Sequence, residues 1–337
     1  MMSSRNNGAA KSTAADLLTE ASGPAGGVGR PQRVRPGLTP LLFLGPAAIL
    51  VISFFVLPVL ITVGISLTDL ATSTFAGRWQ FIGLANFERM SISPYTIKIF
   101  TNTVTYVVCT LVFFNIGMAL VVSLLTTSIN KTVGALFRAL WLLPRITPAV
   151  IYVIMFQYMT ADGPSGIISQ FVTSVLGGQA KNWLYSYPMV ACIVANGLIG
   201  TSFGMIIFTS AIESIPQEYI MAARVDGASY WQIIRRITVP LIRWPLLFVM
   251  AYQTLSLLSS FETILLLTNG GPGFYTTEVW ALYAYHTALS NYLGNTEFGY
   301  GSALAALLVV IGIIASVVYL RVFRFSQMVV EPKIEVL

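Results

Sequence analysis

Six apolar runs, at about 41–68, 101–128, 139–159, 188–212, 244–268 and 301–320, limit what this chain can fold into more than any other feature. Each is near or above the roughly 20 residues that an α-helix needs to cross the hydrocarbon core of a bilayer. Water cannot reach backbone N–H and C=O groups in that core, so spans of this composition must satisfy them internally, as helices do. The expected fold class is therefore all-α, a polytopic membrane protein with six transmembrane helices. The residue balance agrees: 55% hydrophobic against only 9% charged, far from that of soluble domains. The third run is interrupted by Pro144, Arg145 and Pro148. Broken helices at membrane depth are tolerated where they pack on protein or line a cavity.

Residues 1–36 are mostly Ser, Gly, Ala, Pro and Arg. They have too little apolar surface to offset the entropy of ordering, so a disordered tail is expected there, followed by one transmembrane domain over 37–337. The run after the tail is too long for the h-region of a signal peptide. Basic residues in such a chain report orientation rather than nucleic-acid binding, and fourteen of the 19 Lys and Arg residues fall on one side if the spans alternate. The positive-inside rule then places both termini and the 213–240 loop in the cytoplasm. Cys109 and Cys192 lie inside apolar runs, where a thiol is usually a small hydrophobe. No metal-ligand spacing, nucleophile–base set or phosphate-binding Gly-Lys loop occurs. The expectation is a chain that is not an enzyme, with no catalytic residues and no cofactor or metal of its own.

The longest polar run inside this greasy chain is Ile215 to Pro240, IPQEYIMAARVDGASYWQIIRRITVP. Alanines at helical spacings precede and follow Gly227, where the chain must turn. The residues alone leave two readings: an amphipathic helix lying on lipid headgroups, or a docking site. The pattern Ala222-Ala223-x-x-Asp226-Gly227-Ala228, with Ile237 and Pro240 following, resembles the cytoplasmic "EAA" loop of permease subunits of ABC importers. In that family the loop couples the permease to an ATP-binding subunit. The resemblance implies that Glu218, Met221, Ala222, Ala223, Asp226, Gly227 and Ala228 form the coupling surface. Met221 stands where the family has Glu, and Glu218 is the nearby carboxylate. The run Phe81–Phe87, the LLPRITP stretch over 142–148 and LLTNGGPG over 266–273, followed by Thr276 and Thr277, are similar to the carbohydrate-importer permeases of the MalF-like branch.

That resemblance implies an inner (plasma) membrane importer permease. Its partners would be a second homologous permease (a heterodimer), two ATP-binding subunits that hold ATP and Mg, and an extracytoplasmic solute-binding protein. The implied solute is a sugar, oligosaccharide or polyol; the alternative is an anionic solute such as a uronate oligosaccharide or a glycerophosphate ester. A secondary transporter would call for intramembrane acids, of which only Glu262 is a candidate, and would leave the 215–240 run unexplained.

Polar groups inside spans are costly and face a cavity or one another. Asn115, Arg145, Gln157, Asn196, Gln253, Ser260 and Glu262 are such groups. Similarity to the maltose permease implies that Arg145, Ala149, Asn196, Gly200, Phe203, Gln253, Leu257 and Ser260 contact the passing solute. Asn196, Gly200 and Phe203 share a helix face by spacing, as do Gln253, Leu257 and Ser260. The competing reading is hydrogen bonding between packed helices. For Arg145 three readings stand: an ion pair with Glu262 or a second subunit, an anion site in the pathway, or snorkelling to the interface. His286, the single histidine, reads as structural.

Overall fold

The computed structural model describes residues 38–163, 166–290 and 294–323. The tail over 1–36 lies outside the described residues. The chain divides into two units, one ending at Leu57 and one beginning at Pro58. In the first, a helix Leu38–Val51 leads into a π-helical turn, Ile52–Val56, with no buried residue in that turn. The second unit is a helical bundle with one isolated bridge, between Thr68 and Phe81, among the described residues.

Four helices are long and apolar enough to cross a membrane: Leu42–Ser66, Thr96–Ser128, Pro188–Glu213 and Phe298–Val322. Two bent pairs raise the number to six if each is one broken span, Lys131–Ile146 with Ala149–Thr160 at 102°, and Tyr230–Leu241 with Arg243–Ser259 at 67°. Two expectations are corrected here. The third run breaks at Thr147–Pro148, whereas Pro144 and Arg145 stay helical within Lys131–Ile146. Thr147 takes an extended backbone because the ring of Pro148 disfavours the α region for its predecessor. The fifth run is not one helix over 244–268 either. It ends at Ser259, passes through an extended Ser260 and restarts at Glu262–Thr268.

The packing centre is the contact between the second and fourth spans. The second span contains a nine-residue π-helical segment, Thr110–Met118, and wide turns of this kind displace side chains from the ordinary helical stripe. Phe114 and Asn115 on that segment face glycines of the fourth span. A Cβ on Gly197 would land inside the Phe114 ring, and one on Gly200 would land on the Asn115 amide. One on Gly204 would sit 2.8 Å from the Ala119 Cβ as well as against the Asn115 carbonyl. Small residues let helix backbones approach in a membrane, where apolar burial between helices provides little drive. Hydrogen bonds reinforce the seam: Thr201 Oγ1 donates to the Phe114 carbonyl at 3.2 Å and Ser123 Oγ to the Met205 carbonyl at 3.1 Å. Gln253 on the fifth span donates to the Gly200 carbonyl at 3.1 Å.

The connecting segments gather at two ends. At one, Arg89 pairs with Glu297 and Lys98 donates to the Phe274 carbonyl, so the first turn of the second span and the segment before it meet the segments before the sixth. A short helix, Ile167–Val175, forms in the segment between the third and fourth spans. At the other end Arg138 pairs with Glu213 at 3.4 Å, joining the start of the third span to the end of the fourth.

Candidate translocation and coupling sites

The third, fourth and fifth spans build one aromatic wall. The Arg145 guanidinium carbon lies 5.6 Å from the Phe203 ring centroid. Phe203 stacks on Tyr252 at 4.8 Å, and Tyr252 stacks on Phe248 at 6.3 Å. Phe248 and Tyr252 are about half exposed. Arg145 is exposed, and no carboxylate lies within ion-pair distance of it among the described residues, so the pairing with Glu262 does not form. Glu262 is itself exposed, in the first turn of its short helix, where a carboxylate suits the positive end of the helix dipole.

Deeper in the bundle, Asn196 donates from Nδ2 to the Tyr106 hydroxyl and, at 3.1 Å, to Ser260 Oγ. Asn196 and Ser260 are half-buried and Tyr106 is fully buried. This triad ties the second, fourth and fifth spans together at the point where the fifth helix breaks. Gln253, Leu257 and Gly200 are buried within the chain, Gln253 with its amide spent on the Gly200 carbonyl. Of the residues singled out in the sequence for the solute route, the structure therefore joins Arg145 with Phe203 and Asn196 with Ser260, and Ala149 is half-buried at the first position of its helix. The structure puts Gly200, Gln253 and Leu257 into helix packing and leaves Glu262 apart. Sequence reasoning missed Tyr252, Phe248 and Tyr106; the four-residue spacing of Phe248 and Tyr252 was the available signal. Gln157 reaches the carbonyls of Leu266 and Leu267, and the Asn115 Oδ1 is buried without a hydrogen-bond partner among the described residues.

At one end, the turn that follows the fifth span is built on left-handed backbone. Asn269, Gly270 and Gly271 have φ of 47°, 90° and 115°, and the Thr277 N–H donates back to the Gly270 carbonyl. His286 clamps this turn, with Nδ1 2.9 Å from Oε1 of the buried Glu278 and Nε2 3.1 Å from Asn269 Oδ1. A polar cavity of about 370 Å³ lies beside it, with the Arg89–Glu297 pair on its wall. Burial disfavours the charged form of Arg89. The hydrogen bond and charge of Glu297 outweigh that and hold its pKa above the ordinary guanidinium value.

At the opposite end, Pro216 caps a helix Gln217–Val225, which stops at Asp226 and Gly227. Gly227 has φ +78°, the left-handed conformation that only glycine adopts cheaply. Its N–H and that of Ala228 donate to the carbonyls of Arg224 and Ala223, closing the helix end. Ser229 and Gln232 then form a capping box that starts the next helix. Glu218, Met221, Ala222, Asp226 and Gly227 are exposed, and Ala223 and Ala228 are half-buried. An apolar surface results, with Val225 88%, Trp231 68%, Tyr219 57% and Met221 55% exposed.

Residues 116–335 match the model of a family described as "Binding-protein-dependent transport system inner membrane component". The chain is 30% identical over 296 residues to the trehalose/maltose transport system permease protein MalF of Thermococcus litoralis, covering 85% of this chain and 94% of that protein. It is 28% identical over 292 residues to the sulfoquinovosyl glycerol transport system permease protein SmoG of Agrobacterium fabrum, covering 85% and 91%. Its fold resembles a chain of a bacterial ABC transporter that imports the acidic polysaccharide alginate (TM-score 0.69, 23% identity, 87% and 98% covered). It also resembles a chain of that kind of transporter in complex with an alginate pentasaccharide-bound periplasmic protein (TM-score 0.71, 21% identity, 93% and 96% covered). The chain belongs to the family of binding-protein-dependent transport system inner membrane components and is an integral membrane permease subunit.

Proposed function

We propose that this chain forms half of the translocation route of an ATP-driven importer for a sugar, oligosaccharide or polyol. The observation that carries the reading is the wall formed by Phe203, Tyr252 and Phe248, with the amide of Asn196 and the hydroxyl of Ser260 further along the same two spans. Aromatic faces stack on the apolar faces of a sugar ring, while amides and hydroxyls exchange hydrogen bonds with its hydroxyl groups. The relative named for trehalose/maltose supports the same solute class.

In this reading the 213–240 loop and both termini are cytoplasmic, and the apolar surface around Val225 and Trp231 docks on an ATP-binding subunit. ATP and Mg are held there, so hydrolysis belongs to the partner. A second, homologous permease completes the route, and a solute-binding protein meets the end that carries the His286 turn. Closure of two ATP-binding subunits would draw the loops together and favour the outward-facing state. The bias is the difference in affinity of the two states for ATP and for loaded binding protein.

The second reading, an acidic glycan or phosphate ester, is favoured by one observation: Arg145 is exposed and has no carboxylate partner among the described residues. ATPase stimulation of the reconstituted complex by loaded binding protein separates the two. Across neutral disaccharides, polyols, uronates and glycerophosphodiesters, a neutral sugar is expected to stimulate, and Arg145→Ala to change that stimulation by less than about threefold, the worth of an exposed cation–π contact. Stimulation by acids alone, reduced about tenfold or more in Arg145→Ala, the scale of a lost charged hydrogen bond, installs the second reading.

A further inference from the structure

A cavity of about 750 Å³ lies where the second and fourth spans end, beneath the Gln217–Val225 helix. It plays no part in the aromatic wall. Its rim carries three cations, Lys131, Arg138 and Arg224, against one carboxylate, Glu213. Arg138 is spent, being paired with Glu213 at 3.4 Å and close to the Thr126 carbonyl. Lys131 and Arg224 are exposed and have no ion pair among the described residues. The floor is apolar, with Ile220 half-buried and Ile233 and Ile234 buried.

This combination has a specific chemistry. A purely soluble anion would use the cations and leave the isoleucine floor wet. An acyl chain alone would use the floor and leave two cations without counter-charge. A phospholipid with an anionic headgroup uses both at once, and the cavity sits at the ends of two spans, the depth at which a headgroup lies. Basic pockets between transmembrane helices recognise anionic headgroups in this way, with each Lys or Arg worth about 1 kcal/mol. We infer that this cavity is a binding site for one anionic phospholipid, with its phosphate between Lys131 and Arg224 and its acyl stem on the isoleucine floor. The lipid then bridges the start of the third span to the helix that precedes Gly227, so it props the coupling loop from below.

The test is native mass spectrometry of the full transporter complex titrated with phosphatidylglycerol, comparing wild type with the double variant Lys131→Gln/Arg224→Gln. Losing two cations is expected to weaken the tightest lipid-binding step by about 25-fold. The control variant Arg235→Gln/Arg236→Gln, with exposed arginines outside the cavity, is expected to keep it. Equal weakening in both variants, or none in either, overturns the site. So does glycerophosphate, a headgroup without chains, competing as strongly as the lipid, because it would make the occupant a soluble anion. Normal lipid retention with loss of the ATP-binding subunits in Lys131→Gln/Arg224→Gln would instead assign the two cations to protein docking. Stimulation by loaded binding protein, measured on the same wild-type sample, reports on the importer reading separately from the lipid titration.

Discussion

Gly204→Leu should destroy the packed permease. The fourth span approaches the second so closely at this position that even the Cβ of an alanine meets the Ala119 Cβ at 2.8 Å and the Asn115 backbone carbonyl. Backbone cannot swing aside as a flexible side chain can. Overpacking of this kind costs about 3 kcal/mol or more when it forces helices apart. The sign is informative, because glycine to a good helix former in a helix interior ordinarily gains about 1 kcal/mol. The measurement is the fraction of detergent-solubilised permease that elutes as a single species, together with its melting temperature. Gly204→Leu should leave little of it, and Gly204→Ala should melt lower than wild type. Gly64→Leu, in an apolar helix with nothing within 4 Å of its Cβ, should resemble wild type. Equal behaviour of Gly204→Leu and Gly64→Leu would mean that the second and fourth spans do not meet through these glycines.

Val225→Asp is expected to leave the permease intact and to release the ATP-binding subunits. The side chain is 88% exposed, so the isolated permease loses no packing and should melt within a degree or two of wild type. In the assembled transporter the same position would bury an unpaired carboxylate in an apolar contact, a penalty of about 3 kcal/mol or more, which weakens association by roughly a hundredfold. Co-purification of the ATP-binding subunits and ATPase activity stimulated by binding protein should both fall to background. If the subunits remain bound while the permease itself melts lower, Val225 is a packing residue and the docking surface lies elsewhere in the loop.

How far the sequence foretold the architecture depended on where the determining force acts. Span positions were legible because burying apolar side chains for about 20 residues is a local property. The turn at Gly227 was legible for the same reason, since glycine punctuation is local. The break before Pro148 was partly legible. Proline announces it, but Pro144 announces equally and is tolerated near the last turn of Lys131–Ile146. The break at Ser260 carries no proline or glycine. It coincides with the hydrogen bond from Asn196, 64 residues away, and no local pattern reports such a partner.

The candidate site divided along the same line. An amide in a span signals only that it needs partners. Whether Gln253 met a solute or a neighbouring helix depended on how closely the spans approach. Gly200 permits that approach, and the π-helical segment around Asn115 completes it. Tyr252 and Phe248, which complete the wall with Phe203, went unread because aromatic residues in a lipid-facing helix and in a solute route look alike one sequence at a time.

The 67° bend at Ile242 has a mechanical consequence. Ile242 is bonded to both arms, its N–H donating to the Thr238 carbonyl and its carbonyl accepting from the Leu246 N–H, each 3.0 Å, so the corner residue is held from either side. Tyr230–Leu241 and Arg243–Ser259 thus form the two arms of a bell crank pivoting at Ile242. At 1.5 Å per residue the arms are roughly 18 and 26 Å long. A shove of one ångström at Trp231, about 16 Å from the pivot, therefore sweeps Ser259, beside the break in the fifth helix, through roughly 1.5 Å in a different direction, multiplying the stroke and turning it through the corner.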